Sequence, residues 1–425
     1  MKTPTAENRL GKNIVSLFIL QGANYLVPLI TLPYLVRILG PEKYGLIAFT
    51  FAFISYFTVF VDYGFNLSAT REISRHRHDH KKISEIFSAV MFIKLAFTVT
   101  GFILLSAIAS IWPMLSKEWT LISVVYLVVA GNALFPIWFF QGTEDMRSIS
   151  VVSIVAKVAV VIGIFWLVHK ESDYILAAGL QASSMVIAGL ISLIMILGKS
   201  KITLVLPDAI QIRTQIREGW HIFTSTAAMT LYTNSNIFIL GLITNNVIVG
   251  YYSAAEQLVK AAQGLMTPIS QAIYPHISKL VDTSKEMALK FIHKSFIRIG
   301  LLSFSLSFLL FILAEPLVLI MLGDKFIPSI PILRVLAFIP FLVALSNVLG
   351  IQTMLTFGLK KEFSRIIITS GVINIGLIIP LVYLYGGIGA AAAVLATELI
   401  VTISMAYRLD KSGLSSAFNG NKQWT

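Results

Sequence analysis

Apolar runs of roughly 20 residues, divided by short polar or Gly/Pro-bearing breaks, recur along nearly the whole chain. As a helix, at about 1.5 Å per residue, each run covers the ~30 Å hydrocarbon thickness of a bilayer. The pattern predicts twelve membrane-spanning helices. The first six are 13–38, 44–66, 86–111, 119–141, 149–169 and 174–198; the second six are 219–243, 247–275, 295–322, 330–357, 363–385 and 387–409. The first run is too long for a signal-peptide core and lacks a small-residue cleavage site, so it reads as an uncleaved first span. The expected fold class is an all-α polytopic membrane protein.

Within this series the longest connection of mixed polar and apolar character is "KSKITLVLPDAIQIRTQIREGW", between the sixth and seventh spans. It divides the chain into an N-terminal lobe, 1–205, and a C-terminal lobe, 206–425. Both halves begin alike, with a polar-dotted span, a very short turn and a glycine-led second span, as in "ILGPEKYGLIAF" and "LITNNVIVGYYS". Gly45 and Gly250 then correspond, at an offset of 205. Six spans is an even number, so both halves enter from one side and form a parallel repeat, an arrangement that places a substrate cavity between them near the midplane.

Composition sharpens the class: the 425 residues are 56% hydrophobic and 13% charged, with a mean hydropathy of +0.81, whereas soluble domains carry about 25% charged residues. A soluble fold is excluded. Cysteine is absent, which removes disulfides and thiolate metal sites. The net charge of +12 is unevenly distributed: 23 Lys and Arg fall in the two ends and the even-numbered loops, and 5 in the odd-numbered loops. By the positive-inside rule both termini are cytoplasmic, and the basic excess reports orientation rather than nucleic-acid binding. The densest run, "REISRHRHDHKK" at 71–82, reads as a solvated cytoplasmic loop facing lipid headgroups. The alternating His76, His78 and His80 do not converge on a metal at helical spacing. "GKS" at 198–200 is no phosphate-binding loop, because Leu193 stands where that motif needs glycine.

Charges inside the spans narrow the function. A charge at a helix centre costs about 2.5–3.5 kcal/mol on insertion scales, so such residues face a partner or water. The eighth span carries Ser253, Glu256, Gln257, Lys260, Gln263, Thr267 and Gln271, mostly at three- and four-residue intervals, which makes one polar stripe. The second span repeats the device with Ser55, Thr58, Asp62 and Asn66, and the first offers Gln21, Asn24 and Thr31 around Pro28. The stripes line one water-filled space if spans one, two, seven and eight face one another; the bland alternative is that Glu256 and Lys260 only neutralise each other. Lys94 and Lys157 lie near mid-depth with no acid on their own spans, which calls for an anionic ligand or an inter-helix partner such as Asp62. Arg37 and Arg334, near outer ends, read equally well as interface anchors.

The stretches "LQGANYLVPLITLPYLVRILGPEKYGLIAFTFAFISYFTVFVDYGFNLSATREISRHR", "FPIWFFQGTEDM" and "SNIFILGLITNNVIVGYYSAAEQLVKAAQGLMTPISQAIYPHIS" closely resemble the bacterial polysaccharide-unit flippases, the Wzx or O-antigen transporter family. The resemblance covers essentially the whole chain and is strongest in its first 150 residues and at 219–278. It implies the architecture of the multidrug and lipid-linked-oligosaccharide exporters, two six-helix lobes around a central V-shaped cavity. It also implies alternating-access movement of undecaprenyl-diphosphate-linked oligosaccharides from the cytoplasmic to the periplasmic leaflet of a bacterial inner membrane. Lipid and a polysaccharide polymerase complex are the implied partners. Arg37 of "PYLVRILG", Asp62 of "DYGF" and Lys260 of the stripe carry over as functional positions. Substrate contacts are then expected from Asn24, Arg37, Lys94, Lys157, Lys260 and Gln271, with Asp62 and Glu256 as coupling or charge-pair residues.

No cofactor, metal or nucleic acid is expected, and no enzymatic activity. A drug antiporter of the same architecture is the nearer rival, and its cavity would be richer in acids than in Lys. A glycan polymerase or ligase would need residues held over the outer surface in a large loop, and every outer loop here is short.

Overall fold

The computed structural model describes residues 6–199 and 202–414, and every regular element among them is helical. Several helices, among them those over 80–111, 246–283 and 285–312, begin or end beyond the apolar runs, because an apolar run marks the part that meets lipid, while charged residues at its ends are good helix formers. The chain divides into two compact units: Met1–Leu39 with Leu46–Asn234, and Gly40–Gly45 with Ser235–Thr425.

The helix α1 (Ala6–Asp62) carries the first two predicted spans as one element, interrupted where Gly40 adopts φ 68°, a conformation open to glycine at little steric cost; it lies in the first unit except for Gly40–Gly45, which belong to the second. The short α2 (Phe65–Arg75) follows. Then come α3 (His80–Ile111), α4 (Pro113–Lys117) and a broken span made of α5 (Trp119–Val125), α6 (Leu127–Leu134) and α7 (Ile137–Gly142). The helices α8 (Met146–Leu167) and α9 (Tyr174–Lys199) end the predicted lobe. Hydrocarbon offers these helices no apolar driving force for association, so they are held by close packing around small residues: a Cβ on Gly131 of α6 would lie 2.5 Å from the backbone of Met185 in α9. Beneath them Trp138, Phe65 and Phe87 are fully buried.

Part of the run 71–82 read from sequence as loop is helical: α2 continues to Arg75, because Phe65, Ser68, Ala69 and Ile73 recur on one face and are buried. That face packs on α7: the Thr70 hydroxyl donates to the Trp138 carbonyl at 3.2 Å, and Ile73 fills the space beside Gly142.

The compact units part at Asn234–Ser235, inside α10 (Ala209–Ile243). The N-terminal part of α10 is bound to the first unit. Gln215 donates to Glu72 at 2.6 Å, Arg71 pairs with Glu218 at 2.5 Å, and Phe223 stacks on Tyr63 with ring centroids 4.8 Å apart.

The second unit contains α11 (Asn246–Thr283), α12 (Lys285–Ile312), the short α13 (Ala314–Leu317), α14 (Ser329–Leu336), α15 (Ile339–Asn347) and α16 (Lys360–Lys411). The last merges two predicted spans across Gly386, at φ 55°. Two π-helical stretches, Val318–Leu322 and Val348–Leu355, widen the ninth and tenth spans.

Candidate functional site

Three of the lysines predicted from sequence, Lys94, Lys157 and Lys260, each meet a polar partner, two in the first unit and one in the second. Each pair is built by a different local device.

The first joins Asp62, the last residue of α1, to Lys94 of α3. Helix α1 stops there because Tyr63 and Gly64 both take positive φ, 45° and 77°. The Lys94 ammonium lies 3.1 Å from Asp62 Oδ1, 3.1 Å from the Asn132 carbonyl and 3.3 Å from Asn132 Oδ1. The other carboxylate oxygen, Asp62 Oδ2, accepts from Asn66 Nδ2 at 2.7 Å. Sequence supplies the backbone acceptor. A helical carbonyl is normally taken by the N–H four residues later, but the residue four after Asn132 is Pro136, which has none. The break between α6 and α7 therefore leaves the Asn132 carbonyl free for Lys94. The lysine side chain is 1% exposed, and its three N–H donors are matched by three oxygens. The side chain is enclosed in this structure.

The second pair joins Lys157 of α8 to Asn24 of α1, whose amide oxygen accepts from the ammonium. Both side chains are half-buried. Among the described residues no salt bridge reaches Lys157, so an amide dipole is what meets its charge. An anion entering beside it gains a charge-assisted hydrogen bond.

The third pair, in α11, is Glu256 and Lys260 at 2.7 Å, one helical turn apart. Lys260 is 49% exposed at its side chain and Glu256 18%. Around them Ala254, Ala255, Leu258, Val259 and Ala262 are buried, while Gln257, Gln263 and Thr267 remain half-buried. The polar stripe is thus the open face of α11 and the aliphatic positions are its packed face. Ser253, at the upper end of the stripe, is buried instead. The Gln271 side chain lies outside the described residues. Arg37 is exposed on α1, three residues before the break at Gly40. Arg334 of α14 and Glu315 of α13 approach to 3.5 Å.

Asn132 and Pro136 were not singled out from sequence. Their signal is an amide residue in an apolar run, four before a proline, in "GNALFPIW".

Residues 10–281 match the family described as polysaccharide biosynthesis protein. A protein of Escherichia coli (strain K12) named "Putative O-antigen transporter" is 38% identical over 396 residues, which is 93% of this chain and 95% of that one. The chain belongs to this polysaccharide biosynthesis family. A second relative with the same printed name, from Shigella dysenteriae, is 33% identical over 399 residues, 93% of this chain and 98% of its own. Among solved structures, an inward-facing multidrug resistance MATE family transporter of the MOP superfamily aligns with a TM-score of 0.70 at 14% identity, over 93% of this chain and 96% of that one. The lipid II flippase MurJ, in its inward closed conformation, aligns with a TM-score of 0.67 at 13% identity, over 95% and 89%. These two likenesses establish the fold: this family member is a polytopic, all-α membrane protein.

Proposed function

We propose that the protein is a flippase that carries undecaprenyl-diphosphate-linked oligosaccharide repeat units, of the O-antigen kind, from the cytoplasmic to the periplasmic leaflet of the bacterial inner membrane. The observation that carries this reading is its near full-length similarity to two proteins named as O-antigen transporters. The chemistry agrees. A diphosphate with sugars cannot cross hydrocarbon unaided, and the lysines that stay partly open in the spans, Lys157 and Lys260, are cations suited to phosphate. The half-buried Asn24, Gln257 and Gln263 supply hydrogen-bonding groups for sugars. In this role the protein is a transporter and not an enzyme, working by alternating access.

In this reading both termini are cytoplasmic, which the basic asymmetry of the loops supports. Outward movement of two negative charges is then favoured by an inside-negative potential, by about 4–5 kcal/mol at about 100 mV if both cross the whole field. A polysaccharide polymerase complex is the natural recipient of the flipped unit.

Depletion of the protein in its host tests the reading. A polyprenyl-diphosphate oligosaccharide should accumulate, shielded in sealed right-side-out vesicles from a glycan-oxidising reagent that does not cross membranes. Accumulation of the same lipid in the outer leaflet, or no accumulation while surface polysaccharide is unchanged, would overturn it.

A further inference from the structure

The environment of Lys94 is a cation site with its cation already attached. Three features meet there: the Asp62 carboxylate, the side-chain oxygen of Asn132, and a backbone carbonyl freed by Pro136 at the C-terminal end of α6. A helix C-terminus carries partial negative charge, and interrupted helices in transporters coordinate small cations through such unwound carbonyls. The oxygens lie 3.1, 3.1 and 3.3 Å from Nζ. That is ammonium hydrogen-bonding distance, and wider than the ~2.3–2.6 Å at which Ca²⁺ holds oxygen. The position is about 21 Å along α3 from its first residue, and Lys94 is 1% exposed. Asn66 holds the second carboxylate oxygen, so Asp62 remains oriented toward the cage.

We propose that Lys94 is a tethered cation: its ammonium fills a carboxylate–amide–carbonyl cage in the first unit that otherwise takes a free monovalent cation of ammonium or potassium size. The lysine methylenes deliver the charge along α3, and the cage holds it without exchange with the medium. The consequence is that no dissociable cation at this site links transport to a cation gradient. This goes beyond the proposed cargo and does not depend on it, because the decisive measurement reads stability rather than export.

The test uses the full-length protein purified in detergent, with N-methylglucamine chloride holding ionic strength constant. Thermal unfolding is followed while lithium, sodium, potassium, ammonium or ethylammonium replaces it. Wild type should show no saturable response. Lys94→Ala should unfold at lower temperature and recover in a saturable way, by about 2 °C or more at saturation. Ethylammonium should act best because it also refills the space of the lost methylenes, and lithium should do little. Adding Asp62→Asn to Lys94→Ala should abolish the recovery. A saturable response of wild type that Asp62→Asn removes would show that the cage already exchanges a cation, and the proposal would fail. It would fail equally if Lys94→Ala responded to none of these ions. If Lys94→Ala accumulates under none of these ions during growth and extraction while the double variant does, the cage does not accept a free cation, and the idea is again overturned.

Discussion

Gly45 and Gly250 meet backbone to backbone. A Cβ on Gly45 would lie 1.8 Å from the Asn246 carbonyl oxygen and 2.5 Å from the Gly250 nitrogen, and one on Gly250 would lie 2.0 Å from the Pro41 carbonyl oxygen. The residues beside them continue the relationship: Tyr44 and Tyr251 both pack nearly perpendicular to the Phe326 ring, with centroids 6.5 and 5.8 Å away. The two glycines that the sequence repeat pairs thus form one contact, which explains why each half opens its second span on glycine.

Alanine at either position should therefore be costly. Neither clash involves a side chain that can move aside, and overpacking of this kind costs about 1–3 kcal/mol. Gly376→Ala is the matched control, because nothing lies within 4 Å of its added Cβ, and alanine favours helix by up to ~1 kcal/mol. Thermal unfolding of the solubilised proteins should fall for Gly45→Ala and Gly250→Ala and hold or rise for Gly376→Ala. Equal melting of all three would contradict the close approach.

Much of this was legible because helices in lipid are written in composition. Gly40 lies between two predicted spans and Gly386 between two others, and both are the breaks in the long helices. The four-residue spacing of Glu256 and Lys260 foretold their ion pair, and the unpaired mid-depth Lys94 pointed to Asp62. What periodicity does not carry is contact between residues far apart in the chain. The attachment of α10 to the first unit rests on pairs such as Glu72 with Gln215, separated by 143 positions, and the closure of Lys94 depends on a carbonyl that only the later proline releases. Two lysines at similar predicted depth thus differ: Lys94 is sealed, while Lys157 is half-buried beside an amide.

Pro136→Ala tests that release. Alanine restores an N–H able to bond the Asn132 carbonyl, so it competes with Lys94 for the same oxygen and pulls α6 and α7 toward one continuous helix. Loss of a hydrogen bond to a charged group costs about 1.5–3 kcal/mol, and the displaced α7 carries the fully buried Trp138. A drop in unfolding temperature is expected, against little change for Pro113→Ala at the start of α4, an exposed position. No difference between the two would mean that the proline break is incidental to the lysine cage.

Orientation is directly accessible because the chain has no cysteine. Single cysteines at the exposed positions Ser74, Thr283 and Ser412 should be protected from a membrane-impermeant thiol reagent applied to spheroplasts, and one at exposed Ser172 should react. Asn245 and Ser284 are poor choices despite their location, since their side chains cap α11 and α12, and loss of a cap costs about 1 kcal/mol. Labelling at Ser74 together with protection at Ser172 would reverse the topology.

The two lysines that remain open should separate binding from structure. Lys157→Ala removes the charge beside Asn24; if that charge meets a diphosphate, export of the glycan should fall roughly tenfold to hundredfold, the worth of a hydrogen bond to a charged group. Lys157→Arg should keep part of it. In the second unit, the Glu256–Lys260 pair contributes little stability, since exposed helical pairs are worth about 0.3–0.5 kcal/mol. Lys260→Ala should lower export at unchanged membrane level and unchanged unfolding temperature. Glu256→Gln frees the ammonium for an anion and should leave export near wild type. The measurements are surface polysaccharide normalised to protein in the membrane, and thermal unfolding of each variant. Comparable losses of stability from Lys260→Ala and Glu256→Gln, with export falling in proportion, would make that pair structural. Wild-type export by a Lys157→Ala, Lys260→Ala double variant would remove phosphate contact from both lysines and leave the flippase reading resting on family membership alone.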